Sequence, residues 1–290
     1  MQTVALTWQQ AAEVAGAVGA VGVGLRLVPA KWGPKIAPFV TEAAMIGLLY
    51  SLWQLAGKLS VSGTADAYRR AHWIERFEHT IGLPSERSAQ NLILNHPLAV
   101  QAANLYYATM HFTMLFVFLI WMFVRHRNEY RRVRTTLALT TLACLLIQLI
   151  PVAPPRMFPS TFVDTALKYG QSVYSTGVPA DQLSAMPSVH VAWAVLIGYY
   201  VVRISPSRWR WIAVVHSALT VFIVAATANH WWLDGIVAGL LLCACAWLNA
   251  GVRAALARRH RERVAELVDD DPVSERLIED DGFGVGLARR

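Results

Sequence analysis

Long apolar runs alternate with short polar segments along most of the chain. A helix that crosses about 30 Å of hydrocarbon needs about 20 mostly apolar residues. Six runs have this character: Ile36–Leu59, Leu98–Val124, Thr135–Ala153, Pro187–Val202, Trp211–Ala228 and Trp231–Ala250. The pattern therefore predicts an all-α fold, a polytopic membrane helical bundle with six transmembrane helices and an additional interfacial helix.

Two weaker segments accompany these runs. The stretch from about Thr64 to Ile81 is amphipathic, which predicts a helix that rests on the membrane surface. The apolar side chains of that helix are Trp73, Ile74, Phe77 and Ile81. The stretch Ala11–Leu25 is rich in Ala and Gly and has no basic residues ahead of it, so it does not resemble a cleavable signal peptide. We expect an interfacial or packing helix there, with a seventh span as the alternative.

The composition excludes most other classes of protein. Apolar residues make up 55% of the chain and charged residues 16%, against about 45–50% and 25% in soluble domains. A soluble cytosolic enzyme and a disordered chain are both disfavoured. The three cysteines lie in apolar runs, so no disulfide framework is indicated.

The net charge of +7 is concentrated in short loops between the apolar runs. Such loops face the cytoplasm under the positive-inside rule. We therefore expect a multi-pass protein of the plasma membrane, with the lipid bilayer as its partner and no nucleic acid. The basic segments that set this orientation are Arg125–Arg134, Arg203–Arg210 and Arg253–Arg263.

Polar residues at the ends of the spans are candidates for chemistry, because charged groups at membrane depth are costly. His230 and Asp234 are four residues apart, a spacing that places both on one face of a helix. A carboxylate bound to one ring nitrogen would make the other nitrogen a better nucleophile. On the pair alone, a helix cap explains Asp234 equally well.

A second cluster opens the fourth predicted span. Pro187 suits a first helical turn, and the backbone N–H groups of such a turn form an anion site together with the helix dipole. Ser188 adds a hydroxyl, and His190 is placed to donate a proton to a bound phosphate ester. The predicted topology puts His190, His230 and Asp234 at one depth, on the extracytoplasmic side.

A third cluster, Pro151–Arg156, follows the third predicted span. Its prolines end the helix, and Arg156 would present a fork of donors to a phosphate. Anchoring to lipid headgroups is the alternative role for Arg156. Lys168, Asp164 and Tyr174 share this outer loop, and the roles of Asp164 and Tyr174 stay open, as do those of Glu42 and His111 in the spans.

These motifs resemble the type-2 phosphatidic acid phosphatase superfamily. The closer resemblance is to its inositol phosphorylceramide synthase-like branch. The motifs expected in that branch are Ala-Pro-Pro-Arg, Met-Pro-Ser-x-His-x-Ala-Trp and Asn-His-x-x-x-Asp. The resemblance covers roughly Ala65 to Gly239 and takes in Tyr107, His111 and the helix of Glu75 and Glu78. The three motifs are Ala153–Arg156, Met186–Trp193 and Asn229–Asp234 in this chain.

Two departures favour the synthase-like branch over the common phosphatases. The chain has no Lys-x6-Arg-Pro string, and Val224 stands where the general pattern has an Arg six residues before the last His. Arg156, Lys168 and the amides of the fourth predicted span must then supply the positive potential.

The resemblance implies a two-step phosphoryl transfer that uses neither a metal nor another cofactor. His230, oriented by Asp234, would attack the phosphorus of a membrane lipid phosphate or phosphodiester, and His190 would protonate the leaving alcohol. Residues for phosphate or substrate binding would be Arg156, Ser188, Lys168 and Asn229. A polyol or lipid hydroxyl as acceptor gives a phosphotransferase, for example of phosphoinositol, whereas water gives a lipid phosphate phosphatase.

The predicted organisation has three parts. Residues 1–35 form an N-terminal interfacial or packing segment, 36–250 the six-span membrane catalytic domain, and 251–290 a charged cytoplasmic tail that is partly disordered. Three rival functions remain: a zinc site formed by the two His and the Asp, a transporter that uses Glu42, His111, Gln148 and His216, and a non-catalytic scaffold.

Overall fold

The chain is almost entirely helical in the computed structural model, which describes residues 7–27, 33–59, 64–172 and 182–269. The described residues contain no β-strand, and an isolated parallel bridge joins Val152 to Ser184. The helices are α1 Trp8–Leu27, α2 Gly33–Leu59, α3 Thr64–Thr80, α4 Glu86–Leu94, α5 Pro97–Arg125, α6 Arg127–Gln148, α7 Thr165–Lys168, α8 Val189–Ile204, α9 Trp211–Ala226 and α10 Trp232–Asp269.

Within the described ranges, three helical stretches are long and apolar enough to cross a membrane. They are Pro97–Arg125, Arg208–Ala226 and Trp232–Arg263. Shorter apolar helices lie at Ile36–Leu52 and Val189–Ile204. The prediction of an all-helical membrane protein is therefore confirmed, whereas the count of six spans stays a prediction.

Two predicted helix boundaries are wrong. The span predicted over Thr135–Ala153 ends at Gln148, because Pro151 restricts the residue before it and cannot donate a hydrogen bond to a preceding turn. Helix α8 begins at Val189, so Pro187 precedes the helix instead of occupying its first turn. Ser188 is the N-cap and accepts a hydrogen bond from the backbone N–H of Val191.

The two N-terminal helices pack against each other through small residues. A Cβ atom added to Gly47 of α2 would lie 3.1 Å from the Cβ of Ala15 in α1, so a larger side chain would force the helices apart. Glu42 connects α2 to α6, because its carboxylate accepts from the Tyr130 hydroxyl at 3.0 Å and pairs with Arg134.

The centre of the bundle is formed by α5, α6 and α8. Met122, Val133 and Leu196, one from each helix, are fully buried together. Large apolar side chains on the opposite face of α5, such as Ile120, are exposed. An exposed apolar face of this extent is typical of a helix that contacts lipid.

Helices α3 and α4 cover the end of the bundle where the candidate catalytic residues lie. The amphipathic helix predicted from Thr64 to Ile81 is observed as α3. Ile74 is buried against the rest of the chain, which corrects its predicted place on the membrane surface, while Trp73 and Ile81 are exposed. Helix α4 was not predicted, although Ser85 is its N-cap and accepts a hydrogen bond from the backbone N–H of Arg87.

Clustering of contacts divides the chain into two compact units, Met1–Cys245 and Ala246–Arg290. In the second unit the described residues are the continuation of α10, whose side chains from 250 to 263 are exposed. The part of the tail at residues 270–290, where disorder was expected, and Tyr174 both lie outside the described residues.

Candidate active site

The segment Pro151–Arg156 connects several parts of the site. Val152 donates to the carbonyl of Leu183 at 2.6 Å, and its own carbonyl accepts from Ala185 at 3.3 Å. The carbonyl of Ala153 accepts from the indole N–H of Trp231 at 2.9 Å. Consecutive prolines leave the segment few backbone donors, so its carbonyls are satisfied by groups from distant parts of the sequence.

The turn between α9 and α10 places His230. Helix α9 ends in a Schellman motif, in which Asn229 N–H donates to Val224 at 3.0 Å and Ala228 N–H to Ala225 at 2.8 Å. Ala228 has a φ of 55°, in the left-handed region that usually takes Gly at this position. Its carbonyl accepts a hydrogen bond from the backbone N–H of Arg156 at 2.8 Å. This bond connects the turn to the segment Pro151–Arg156.

The imidazole of His230 is held in one orientation by two acceptors. Its Nδ1 lies 2.7 Å from the carbonyl of Ala185 and 3.2 Å from Oδ2 of Asp234. Because a carbonyl oxygen only accepts, Nδ1 carries the hydrogen. Nε2 is buried and has no hydrogen-bond partner among the described residues, so its lone pair is available for a reaction.

Asp234 has two functions in this geometry. His230 precedes α10, so the pair does not lie on one helical face as the spacing predicted. The two side chains meet because Asp234, in the first turn, reaches back to the start of the helix. Its Oδ2 accepts from Trp231 N–H at 2.9 Å as well as facing His230. A cap and an orienting contact are thus made by the same oxygen.

The two candidate catalytic histidines lie side by side. The ring centroids of His190 and His230 are 5.7 Å apart, although His190 is in the first turn of α8 and His230 is in the connection between α9 and α10. Tyr107 stacks on His190 at 4.5 Å, and His111 lies 4.1 Å from the same ring. The sequence assigns no role to His111, because its contact with His190 forms only when α5 packs on α8.

Both rings line a polar pocket of about 70 Å³. Arg156 enters this pocket from the proline segment; the side chain is 5% exposed and its Nη1 donates to Oδ1 of Asn229 at 3.0 Å. Asp164 lies 3.7 Å from Nε of Arg156. The polar side chains that line the pocket are Tyr107, Gln148, Arg156, Gln182, Ser184, His190, Asn229 and His230.

Two predicted phosphate-binding residues lie outside the polar pocket. Ser188 is fully buried and its hydroxyl caps α8. Lys168 is exposed at the end of α7 and its ammonium lies over the ring of Tyr169. Gln148, by contrast, lines the pocket and donates to the carbonyl of Pro187 at 2.9 Å. The sequence feature that could have identified Gln148 as a site residue is its position, a polar amide within a predicted span just before the prolines.

An apolar cavity of about 510 Å³ adjoins the polar pocket. The two share Val189 and His190 as lining residues. The apolar cavity lies among α2, α5, α6 and α8. Its largest lining side chains include Ile46, Phe112, Leu115, Leu119, Leu145 and Trp193.

The four residues of the transporter hypothesis each bond to a different partner. Glu42 pairs with Arg134, and Gln148 with the carbonyl of Pro187. His111 contacts the carbonyl of Tyr107 at 3.0 Å, and His216 the hydroxyl of Tyr106 at 2.6 Å. As for the zinc hypothesis, the described part of the chain contains no group of three His, Cys, Asp or Glu side chains arranged to hold a metal.

Comparison with protein families decides the assignment. The model of the PAP2 superfamily matches residues 72–248, well over half of the chain. The chain belongs to the PAP2 superfamily. All residues that line the polar pocket fall within the matched region, which begins inside α3 and ends inside α10. PAP2 membership supports an enzyme of the phosphatase or phosphotransferase type that acts on lipid phosphates. No curated protein and no solved structure matches the chain significantly.

Proposed function

We propose that the chain is an integral membrane phosphotransferase that acts on a lipid phosphate or phosphodiester through a phosphohistidine intermediate. The observation that carries this proposal is the state of His230. Two acceptors hold Nδ1–H, and Nε2 has no hydrogen-bond partner in the part of the chain that the structure describes. His230 lines the same pocket as Arg156 and His190. An oriented imidazole beside a buried cation is suited to attack a phosphorus atom.

In the first step the Nε2 lone pair forms a bond to phosphorus and the P–O bond to the leaving alcohol breaks. His190 delivers a proton to that alkoxide oxygen. The cationic phosphohistidine keeps its hydrogen on Nδ1, where the Ala185 carbonyl and the Asp234 carboxylate stabilise it. Arg156 binds the equatorial oxygens, on which charge is spread in the transition state.

In the second step an acceptor hydroxyl attacks the same phosphorus and the P–Nε2 bond breaks. His190, now neutral, takes the proton of the acceptor and returns to its starting state. Asn229 supports Arg156 during both steps, since its Oδ1 accepts from the guanidinium and its amide donates to Thr227 at 2.8 Å. The N-terminus of α8 adds a favourable dipole for the bound anion.

The apolar cavity accommodates the hydrocarbon chain of the lipid. His190 and Val189 line both the polar pocket and the apolar cavity. A lipid with its phosphate next to Nε2 of His230 would therefore extend its hydrocarbon chain among α2, α5 and α6. We place this site on the extracytoplasmic side of the plasma membrane, because the basic segments Arg125–Arg134 and Arg203–Arg210 belong to the opposite ends of the spans.

Filling the apolar cavity should discriminate between lipids by chain length. Leu115→Trp is expected to raise KM for a long-chain lipid phosphate roughly tenfold, since excluding about two methylenes at about 0.8 kcal/mol each has that effect. KM for a short-chain analogue should stay unchanged. Leu105→Trp is the matched control, because Leu105 is on the same helix and 59% exposed. Equal KM changes for both chain lengths would refute this use of the cavity.

Asp234→Asn separates the two functions of that side chain. Asn retains an oxygen that accepts from Trp231 N–H but lacks the charge that stabilises the His230 cation. A hydrogen bond to a charged group contributes about 1.5–3 kcal/mol, so kcat is expected to fall roughly 10- to 100-fold while thermal stability changes little. A kcat equal to that of the wild type would show that Asp234 only caps the start of α10.

The acceptor decides between transferase and hydrolase. We propose a hydroxyl acceptor, with phosphoinositol transfer as the specific candidate, because the motifs of Ala153–Arg156, Met186–Trp193 and Asn229–Asp234 resemble the inositol phosphorylceramide synthase-like branch. The experiment incubates the purified protein with a panel of lipid phosphates and phosphodiesters, each with and without inositol or a lipid alcohol. A new phosphate ester of the added acceptor supports transfer. Hydrolysis at the same rate with and without acceptor, measured as inorganic phosphate from a lipid phosphate or as a phosphomonoester from a phosphodiester, would assign a phosphatase instead.

A further inference from the structure

The start of α10 is held by three buried carboxyl groups. Three consecutive backbone N–H groups, beginning with that of Trp231 just before the helix, each donate to a different acidic side chain. The pairs are Trp231 to Asp234 Oδ2 at 2.9 Å, Trp232 to Glu86 Oε1 at 3.0 Å, and Leu233 to Glu78 Oε1 at 2.5 Å. Three of the N–H donors that a helix N-terminus leaves without intrahelical acceptors are thus satisfied by acidic side chains.

Glu78 and Glu86 reach this position from outside the bundle. They belong to α3 and α4, 155 and 146 residues before their partners in the sequence. Each is 3% exposed. A buried carboxyl group is costly unless its hydrogen bonds are satisfied, and the dipole of α10 favours acidic groups at this end. Neither residue takes part in the two steps of the proposed reaction.

The pKa values of both glutamates are raised. Burial, together with a hydrogen bond to Glu86 and the proximity of its charge, raises the pKa of Glu78 to about 9. Burial also raises the pKa of Glu86, against the hydrogen bonds from Glu78 and from Trp232 N–H. At neutral pH Glu78 is therefore protonated and donates a hydrogen bond to Glu86. One oxygen of each group accepts a hydrogen bond from the backbone of α10.

We propose that Glu78 and Glu86 are positioning residues, which fix the first turn of α10 and thereby the orientation of His230 and Asp234. The inference rests on the proposed function only for its kinetic readout. Asp234 is the residue that follows Leu233, and its Oδ2 is the oxygen that faces Nδ1 of His230. A shift of the turn would move that oxygen, and a displacement of about 1 Å can cost a hundredfold in rate.

The arrangement also has a consequence at high pH. The acidic groups that face the pair are Asp234 from α10 and Glu75 from α3, and His230 faces Asp234. When Glu78 loses its proton above pH 9, it adds a negative charge beside Glu86 and near Asp234. Repulsion among these groups would loosen the contact with α10, so kcat should decline as the pH rises through this range.

The test compares Glu78→Ala with Glu78→Gln. Removing the acceptor in Glu78→Ala is expected to lower kcat on the order of 10- to 100-fold with KM for a lipid phosphate unchanged. Gln keeps an oxygen for Leu233 N–H and an N–H for Glu86, so it should recover most of the rate. Because Gln does not ionise, the decline above pH 9 should be reduced in this variant. Asp66→Asn, on the same helix and half-exposed beside Arg69, is the control.

A readout that needs no turnover separates this inference from the proposed function. The rate at which diethyl pyrocarbonate modifies His230, followed by mass spectrometry of the peptide, reports the environment of Nε2. It should change in Glu78→Ala and return toward the wild-type rate in Glu78→Gln. If Glu78→Ala does not fold, the same comparison is made between Glu86→Gln and Glu86→Leu, which respectively keep and remove the acceptor for the Trp232 N–H. Unchanged kcat and unchanged modification in the Ala or Leu variant would overturn the inference, whether or not the wild type turns over lipid phosphates.

Discussion

Replacing His230 by Ala is expected to lower turnover at least about a thousandfold, because the substitution removes the nucleophile and no other group bonds to phosphorus in its place. The protein should still fold and insert, since the His230 side chain contributes one hydrogen bond to a carbonyl and one contact with Asp234. Turnover is measured as released leaving alcohol per enzyme with a short-chain lipid phosphate.

Two further variants make this result interpretable. His96→Ala removes an exposed imidazole that makes no capping hydrogen bond and should retain full activity. His230→Gln keeps an N–H that can donate to the Ala185 carbonyl, so it preserves more of the local structure than Ala while lacking the nucleophilic ring nitrogen. It should be as inactive as His230→Ala. Turnover near the wild-type rate in either His230 variant would rule out the covalent step.

The second large effect is expected for His190→Ala, with a loss of about 10²- to 10⁴-fold for an alkyl ester, the usual contribution of a positioned acid. The loss in the first step should nearly vanish for an ester whose leaving group is nitrophenol, because nitrophenolate departs without a proton. His190 is still needed to activate the acceptor. Nitrophenol should therefore appear as a burst of about one equivalent, followed by slow turnover.

The burst distinguishes an acid from a structural residue. His190 packs against Tyr107, His111 and His230, so its removal also leaves space in the site. A packing defect would slow the alkyl and nitrophenyl esters by the same factor and would give no burst. That outcome would remove His190 from the proton transfers.

The sequence predicts which regions meet, but not the contacts that orient the reacting atoms. Hydropathy located α5, α9 and α10, and the motifs located His190, His230 and Asp234. The hydrogen bond from His230 to the Ala185 carbonyl was not predictable, since it depends on the bridge between Val152 and Ser184. A backbone acceptor carries no signal in the identity of its residue.

Charge patterns near the membrane surface were misleading for a related reason. Glu78 lies on an amphipathic helix, where an acidic residue is ordinarily solvated. In the fold it is buried against the start of α10. Lys168 shows the reverse. It follows Arg156 in the same loop and was expected to bind phosphate, yet it is exposed at the end of α7. Whether a charge faces water or a helix terminus is decided by tertiary packing that no local pattern encodes.

Trapping the phosphohistidine is the most direct test of phosphoryl transfer through His230. His190→Ala is mixed with a nitrophenyl ester of a short-chain lipid phosphate, quenched in base to preserve phosphoramidate bonds, digested and analysed by mass spectrometry. We expect one phosphorus-containing adduct per protein, on His230, formed at the rate of the nitrophenol burst. Nitrophenol release without an adduct on His230, or an adduct on another residue that forms at the burst rate, would contradict it.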